Sequence, residues 1–419
     1  MNNEKEKIAI IGGGVSGLVA ALVLENHGFS PLLYEKTERV GGRVKTDIMD
    51  GYQLDHGFQV LLDTYPMAQK YLDYEALDLA KFLPGACIFK NGNKKVIGDP
   101  LRNLSLLIPT LTSGIGILSD KFHILKLNTE LKKKSISDIF DEPEISTLEY
   151  LRNRGFSTEI ITDFFKPFFT GIFLETKLET SSRMFEFVYK MFGTGHATLP
   201  TAGIGAIPNQ LASKLKRTKI HFNATLKNCE DGKLNFTDGT TKHADYIILA
   251  TESSDFLKNM RNQEVNWKSC QTLYFTVPRN EDNRPLIGLV PNEKSLINNI
   301  FFHKTLPTEK SGPDELLSVT VIKSHNLSES ELITQVKKEL DEECAIKELK
   351  YLKTYYINKA LPKLESVAGD ISPSETRLTD TVFLAGDYLL NGSLNAAMLS
   401  GEKAALGIID VINGNVINK

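Results

Sequence analysis

Three glycines, Gly12, Gly14 and Gly17, follow the apolar run Lys7 to Ile11 and open the apolar stretch Val15 to His27. Backbone amides gathered in this way suit an anion. The first glycine permits a tight turn, the second lets a pyrophosphate reach the backbone, and the third lets the following helix pack on the strand. Val15 and Ser16 complete the loop, whose amide hydrogens at a helix start face a phosphate. The next apolar run, PLLYE, ends on Glu35, with Lys36 beside it. An acidic group at that separation suits a ribose hydroxyl, so the pattern describes a dinucleotide site.

Downstream lies Arg39-Val40-Gly41-Gly42-Arg43. Gly41 and Gly42 bring further backbone donors towards phosphates, and Arg43 offers a planar fork of N–H groups to the same anion. A nicotinamide dinucleotide has no need of this second loop, so the motif points to FAD. The C-terminal region supplies a matching half: a strand over Thr381 to Leu384, then Ala385-Gly386-Asp387, then Gly392-Ser393-Leu394-Asn395 and an alanine-rich helix. A helix that starts near Ser393 directs amide hydrogens and its positive end outward, which suits the electron-rich pyrimidine edge of a reduced flavin. Asp387 is placed to accept hydrogen bonds from the ribityl chain.

The segments IAIIGGGVSGLVAALVL, YEKTERVGGRVKT, GIGAIPNQLASKL, ADYIILAT, INKALPKL and VFLAGDYLLNGSLNAAMLSGEKAA together resemble the FAD-binding segments of the flavin amine oxidase superfamily, nearest in flavour to bacterial phytoene-desaturase-like and protoporphyrinogen-oxidase-like members. The resemblance implies an FAD-dependent oxidoreductase that oxidises a largely apolar small molecule, by desaturation or dehydrogenation, through hydride transfer to flavin, and then passes electrons to a separate acceptor. It places Gly57 and Phe58 in a turn beside the flavin ring, with His56 as a candidate proton acceptor. It also sets Leu226 against the adenine and Ala250 and Thr251 in a loop near the dinucleotide. The alternatives are a small-molecule amine oxidase, with Tyr355 and Tyr356 as members of an aromatic cage, and a flavin-dependent isomerase or flavin-binding module without turnover. Some relatives attach flavin to a cysteine in the tail motif. No cysteine stands there, so the flavin is expected to be non-covalent.

These motifs lie at opposite ends of 419 residues, so the FAD-binding part must be discontinuous. The expected fold class is α/β, a Rossmann-like FAD-binding domain over 1–65, 199–252 and 373–419, with a second α+β substrate domain over 66–198 and 253–372. The 66–198 piece reads as helical and the 253–372 piece as β-rich, with one helix from Ser328 to Glu343. The net charge of −3 gives no footprint for nucleic acid. Cys87, Cys229, Cys270 and Cys344 lack CxxC spacing, which argues against zinc or a disulfide framework and fits a reducing cytoplasm. The uncharged run Ile8 to Leu24 contains the whole phosphate loop, so it is read as structure rather than as a leader.

Two segments bear on the substrate. Phe164 to Phe173 carries five phenylalanines in ten residues, which serve either as the core of a helical lobe or as the lining of an apolar tunnel. Asn103 to Lys134 joins an apolar half to Lys121, Lys126, Lys132, Lys133 and Lys134. That pattern suits either a solvated helical hairpin or peripheral contact with a membrane surface.

Overall fold

A computed structural model describes residues 6–230, 232–254, 256, 265–278 and 283–414. Five short strands form one parallel sheet in the order Lys219–His221, Leu32–Tyr34, Ile8–Ile11, Tyr246–Leu249 and Val382–Leu384. Ile8–Ile11 is buried throughout, as is most of Tyr246–Leu249, as expected of a parallel sheet covered on both faces. Helices Val15–Asn26 and Leu394–Ile412 pack against each other on one face. A Cβ on Gly401 would lie 2.2 Å from the Ser16 carbonyl oxygen, so this crossing requires glycine. The three-stranded meander Leu226–Glu230, Lys233–Phe236 and Thr241–His243 covers the other face, through Leu226, Leu234 and Phe236.

A second, seven-stranded sheet runs in the order Lys350–Pro362, Trp267–Val277, Glu315–Val321, Ile297–Phe302, Ile287–Leu289, Gly85–Lys90 and Asn93–Gly98. Its pairings are antiparallel except that of Ile287–Leu289 with Gly85–Lys90. Helix Glu329–Cys344, started by a capping box between Ser328 and Glu331, covers one face through Leu332, Val336 and Leu340. The helical reading of 66–198 needs correction here, because that piece contains strands Leu79–Lys81, Gly85–Lys90 and Asn93–Gly98. Asn91 and Gly92 both have positive φ, 51° and 72°, the geometry of a tight hairpin turn that an Asn-Gly pair favours. Helix Pro66–Tyr71 packs on Leu394–Ile412, where Lys70 pairs with Glu402 and the Met67 amide donates to Asn395.

Helices between Leu118 and Thr194 form a lobe around Phe165, Phe169, Phe173, Phe185 and Phe187, all essentially inaccessible. Arg183 donates to the Glu142 carbonyl and lies 3.9 Å from the Glu144 carboxylate. Among the described residues no helix is long and apolar enough to cross a membrane, and no cluster of side chains is arranged to hold a metal ion.

Candidate functional site

The three loop glycines differ in what surrounds them. Gly12 has φ +109°, and a Cβ there would sit 2.7 Å from the Ala250 carbonyl oxygen. A Cβ on Gly17 would sit 2.0 Å from the Gly12 carbonyl oxygen, whereas one on Gly14 would meet nothing within 4 Å. Turn, packing and open approach are thus divided among the three as the spacing requires. The second loop lies directly against the first: the Gly41 amide donates to the Gly13 carbonyl at 2.9 Å, and Gly42 adjoins Gly14. Buried Glu35 accepts from the Gly13 amide at 2.7 Å and from the Thr37 amide and hydroxyl at 2.9 and 2.7 Å. Lys36 is exposed beside it. The Ala224 amide donates to the Glu35 carbonyl, which brings the start of strand Leu226–Glu230 to this end of the sheet while the Leu226 side chain stays in the core.

Arg43 joins the two ends of the sequence. Its guanidinium donates to buried Asp387 and to the Ala360 carbonyl, and lies 4.9 Å from the Trp267 ring centroid. Trp267 Nε1 is buried without a partner among the described residues, a donor available to a polar ligand in that crease. Beside Asp387, the Gly386 amide donates to Ser400 and the Tyr388 hydroxyl to the Thr251 carbonyl, next to Ala250 and the glycine loop. Ser393 caps helix Leu394–Ile412 by accepting from the Ala396 amide at 3.0 Å. Leu394 is half-buried, and the Asn395 side chain is committed to Met67.

His56 stands in a polar cluster that the sequence alone did not reveal. Its Nε2 lies 2.8 Å from Asp47, which also accepts from the Tyr355 hydroxyl at 2.8 Å and from Arg39. Burial pushes the Asp47 carboxyl up, but hydrogen bonds from Arg39, His56 and Tyr355 outweigh it and hold the group at about 2. Asp47 is therefore ionised at neutral pH, and the His56 Nε2 hydrogen donates to it. The imidazole and Tyr355 rings are 4.3 Å apart. Gly57 has φ +95°, and a Cβ there would press on Ile357 at 3.0 Å. Phe58 turns into an aromatic group with Phe82 and Phe301.

The seven-stranded sheet has two unlike faces. Leu273, Phe275, Val277, Leu317 and Val319 meet helix Glu329–Cys344, while the alternate residues Thr272, Ser318, Thr320 and Asn299 are polar and also buried. Asn299 donates to Thr320 at 3.1 Å, and Ser318 is 3.0 Å from His303; burial lowers the His303 pKa to about 4 and keeps it neutral. Thr272 Oγ1 has no partner among the described residues. Period-two alternation of polar and apolar residues over Thr272 to Val277 was the available signal, and it reads equally well as an ordinary half-exposed strand. At the end of this strand, Lys268 donates to the Phe173 carbonyl at 2.8 Å, and burial lowers its pKa. A cavity of about 320 Å³ lies between this lysine, the start of the Ser393-capped helix, and Tyr65, Phe173 and Met184. Of the five phenylalanines in Phe164 to Phe173, Phe173 alone lines it.

The paired glycine loops, the acidic ribose position, the open face at Gly14 and the buried indole donor fit an FAD molecule spanning both ends of the chain. An L-amino-acid oxidase from Trimeresurus stejnegeri is 27% identical over 271 residues, 59% of this chain and 51% of that protein. Protoporphyrinogen oxidase 2 from Arabidopsis thaliana is 27% identical over 168 residues, 40% of this chain and 32% of that protein. The chain thus spans about half the length, or less, of the curated relatives it matches. Among solved structures, a CLA-producing fatty acid isomerase from P. acnes aligns over 100% of both chains with a TM-score of 0.71 at 15% identity, a likeness of fold. The family model for flavin containing amine oxidoreductase matches residues 15–409. The chain belongs to the flavin-containing amine oxidoreductases.

Proposed function

We propose that the protein dehydrogenates a compact, largely apolar small molecule by hydride transfer to non-covalently held FAD, and that the electrons then pass to a separate acceptor such as oxygen or a quinone. The observation that carries this reading is the cavity of about 320 Å³ that meets Ser393 and is lined by Tyr65, Ile172, Phe173, Met184 and Val188 together with polar groups such as Thr180, Lys268 and Asn391. Its volume is at the small end for a ligand pocket and favours a compact molecule over a long polyene.

In this reading Gly12 to Gly17 and Gly41 to Arg43 hold the pyrophosphate, Glu35 the adenosine ribose, Leu226 the adenine through its backbone, and Gly386 and Asp387 the ribityl chain. Gly57, Phe58, Ala250 and Thr251 border the isoalloxazine and the dinucleotide. Arg43 keeps Asp387 oriented while its remaining N–H groups meet phosphate. FAD, when bound, supplies the two-electron acceptor. The protein aligns the substrate C–H bond and excludes water. The second hydrogen leaves as a proton, and His56, oriented by ionised Asp47 with its Nδ1 free of that bond and standing outside the lining of the cavity, would accept it by way of intervening water. With FAD bound, the backbone amides at the Ser393 helix start would favour negative charge on a pyrimidine edge placed before them.

A second reading, a small-molecule amine oxidase, is favoured by Glu144, Glu179 and Glu365, which border the same cavity and would attract a cation. Anaerobic mixing with primary amines, with amino acids and with compact apolar dehydrogenation substrates separates the two. Stoichiometric flavin bleaching by the apolar set supports the first reading, bleaching by amines alone replaces it with the second, and bleaching by none of them overturns both. Under the first reading, His56→Gln should lower the rate of reduction roughly a hundredfold with little change in FAD affinity.

A further inference from the structure

More than half of the large hydrophobic side chains that the described residues leave exposed fall between Leu101 and Leu125. They follow helical spacing. Leu104, Ile108 and Leu111 lie on the turns Leu104–Leu106 and Leu107–Thr112, and Leu118, Phe122 and Leu125 form a stripe along helix Leu118–Lys133. Ile108, Leu118 and Phe122 are 72%, 84% and 67% exposed. Helix Leu107–Thr112 buries none of its residues and is fastened to the large sheet by hydrogen bonds between Thr110 and Gly98. Helix Leu118–Lys133 turns a different face, with Leu127 and Leu131, to the core. The outward stripe is therefore surplus to the packing of the lobe, and a patch of this extent marks an interaction surface.

The charges around the stripe select the partner. Residues 100–133 contain two carboxylates: Asp120, which is 1% exposed and accepts from the Ile117 and Ser157 amides, and Glu130, which pairs with Arg154 and lies 3.9 Å from Lys126, leaving lysine in excess along the helix. At 3.6 residues per turn, Lys121 and Lys132 fall on one flank of the stripe and Lys126 and Lys133 on the other, each roughly 50–70° from its centre. Lysine stems can lie along an apolar surface while their ammonium groups stay with anions in water. A two-fold contact between copies of this surface would set lysine rows against lysine rows. We propose that this face docks the protein on an anionic phospholipid bilayer, with Leu107, Ile108, Leu111, Leu118, Phe122 and Leu125 entering the boundary between headgroups and acyl chains and the four lysines engaging lipid phosphates. This surface stands independently of the reaction proposed above.

Flotation of the FAD-loaded full chain tests it, using vesicles of phosphatidylcholine alone and of phosphatidylcholine mixed with phosphatidylglycerol. The protein is expected to float with the anionic vesicles roughly tenfold or more better than with the neutral ones, and to be released by salt. Leu118→Ser/Phe122→Ser should abolish flotation on both compositions. Lys121→Gln/Lys126→Gln/Lys132→Gln/Lys133→Gln should erase the preference for anionic lipid. The serine variant changes exposed positions and the glutamine variant exposed positions and half-buried Lys121, so melting temperature and flavin content should match the parent. Failure of the parent to float with either composition, wild-type flotation of the serine variant, or a preference retained by the glutamine variant would each overturn the proposal. A parent dimer that the serine variant converts to monomer would reassign the face to a second copy.

Discussion

Three glycines in one loop do three different things, whereas most of the five phenylalanines in one helical segment do the same thing. Gly12, Gly14 and Gly17 lie within six residues, yet one permits a turn, one leaves space and one admits close packing. Phe165, Phe169 and Phe173 are all sealed in the lobe, and only Phe173 also reaches the cavity. The role of Gly17 is fixed by the Gly12 carbonyl five residues away, and that of Gly12 by its positive φ. The role of a phenylalanine is fixed by which way its helix faces, and that depends on elements far along the chain.

The largest effect expected from this contrast is on stability. Phe169→Ala should cost about 3 to 5 kcal/mol, the usual result for a sealed aromatic ring, and leave flavin binding in the surviving folded protein unchanged. Phe173→Ala should cost a similar amount and also alter ligand affinity. Thermal melts with flavin titration check both, and an unchanged melting temperature for Phe169→Ala would contradict the core assignment.

Within the glycine loop the contrast sharpens to a pair. Gly17→Ala forces a Cβ against a backbone oxygen 2.0 Å away and should cost about 1 to 3 kcal/mol of apoprotein stability or more. Gly14→Ala meets nothing within 4 Å, so apoprotein stability should change by less than about 0.5 kcal/mol while FAD affinity falls. Equal melting temperatures for the two apoproteins would remove the division of labour.

A third test concerns buried Asp55, which accepts from the Thr46 hydroxyl and the Ile204 amide where the hairpin of antiparallel strands Thr46–Met49 and Tyr52–Asp55 meets Gly203. Burial raises its pKa from 3.8 to about 6, against those two hydrogen bonds. Between these values the folded state holds more protons than the unfolded one, so this group makes stability fall as pH rises from about 4 to about 6. Asp55→Asn should remove about 1 to 3 kcal/mol of that dependence. Denaturant melts of both proteins across the window measure the difference, and parallel curves would refute it.

Smaller still is the effect on the cofactor alone. Glu35→Ala should weaken FAD by roughly tenfold or more, because a hydrogen bond to a charged group contributes about 1.5 to 3 kcal/mol. Titration of the apoprotein decides this. Finally, acid precipitation should leave the flavin in a yellow supernatant, since Cys87, Cys229, Cys270 and Cys344 are all buried and burial pushes Cys270 up to about 11. A yellow pellet would show a covalent link.

The legible part of the fold is the part whose signals are local. Glycine spacing, the acidic end of PLLYE and the Ser328 capping box each report within a few residues of themselves. The Asn91-Gly92 hairpin was equally local and was lost inside a piece whose helical signals dominated. Tyr355, Trp267 and Lys268 carry no motif. They reach the site only because the strand pairings set Gln271 opposite Tyr356 and Lys268 opposite Leu361, beside a turn more than 200 residues earlier in the sequence.

The sequence by itself determined the paired glycine loops, the acidic end of PLLYE and the Ser393 helix start, and so where phosphates, ribose and flavin edge are expected, because local backbone geometry at helix starts and turns is set by near neighbours. Tertiary structure alone decided that Arg43 meets Asp387, that His56 is held by Asp47 and Tyr355, that most of the phenylalanine segment is core, and that the stripe from Leu104 to Leu125 faces outward. Each of these depends on which surfaces are covered, and coverage is a property of the whole chain.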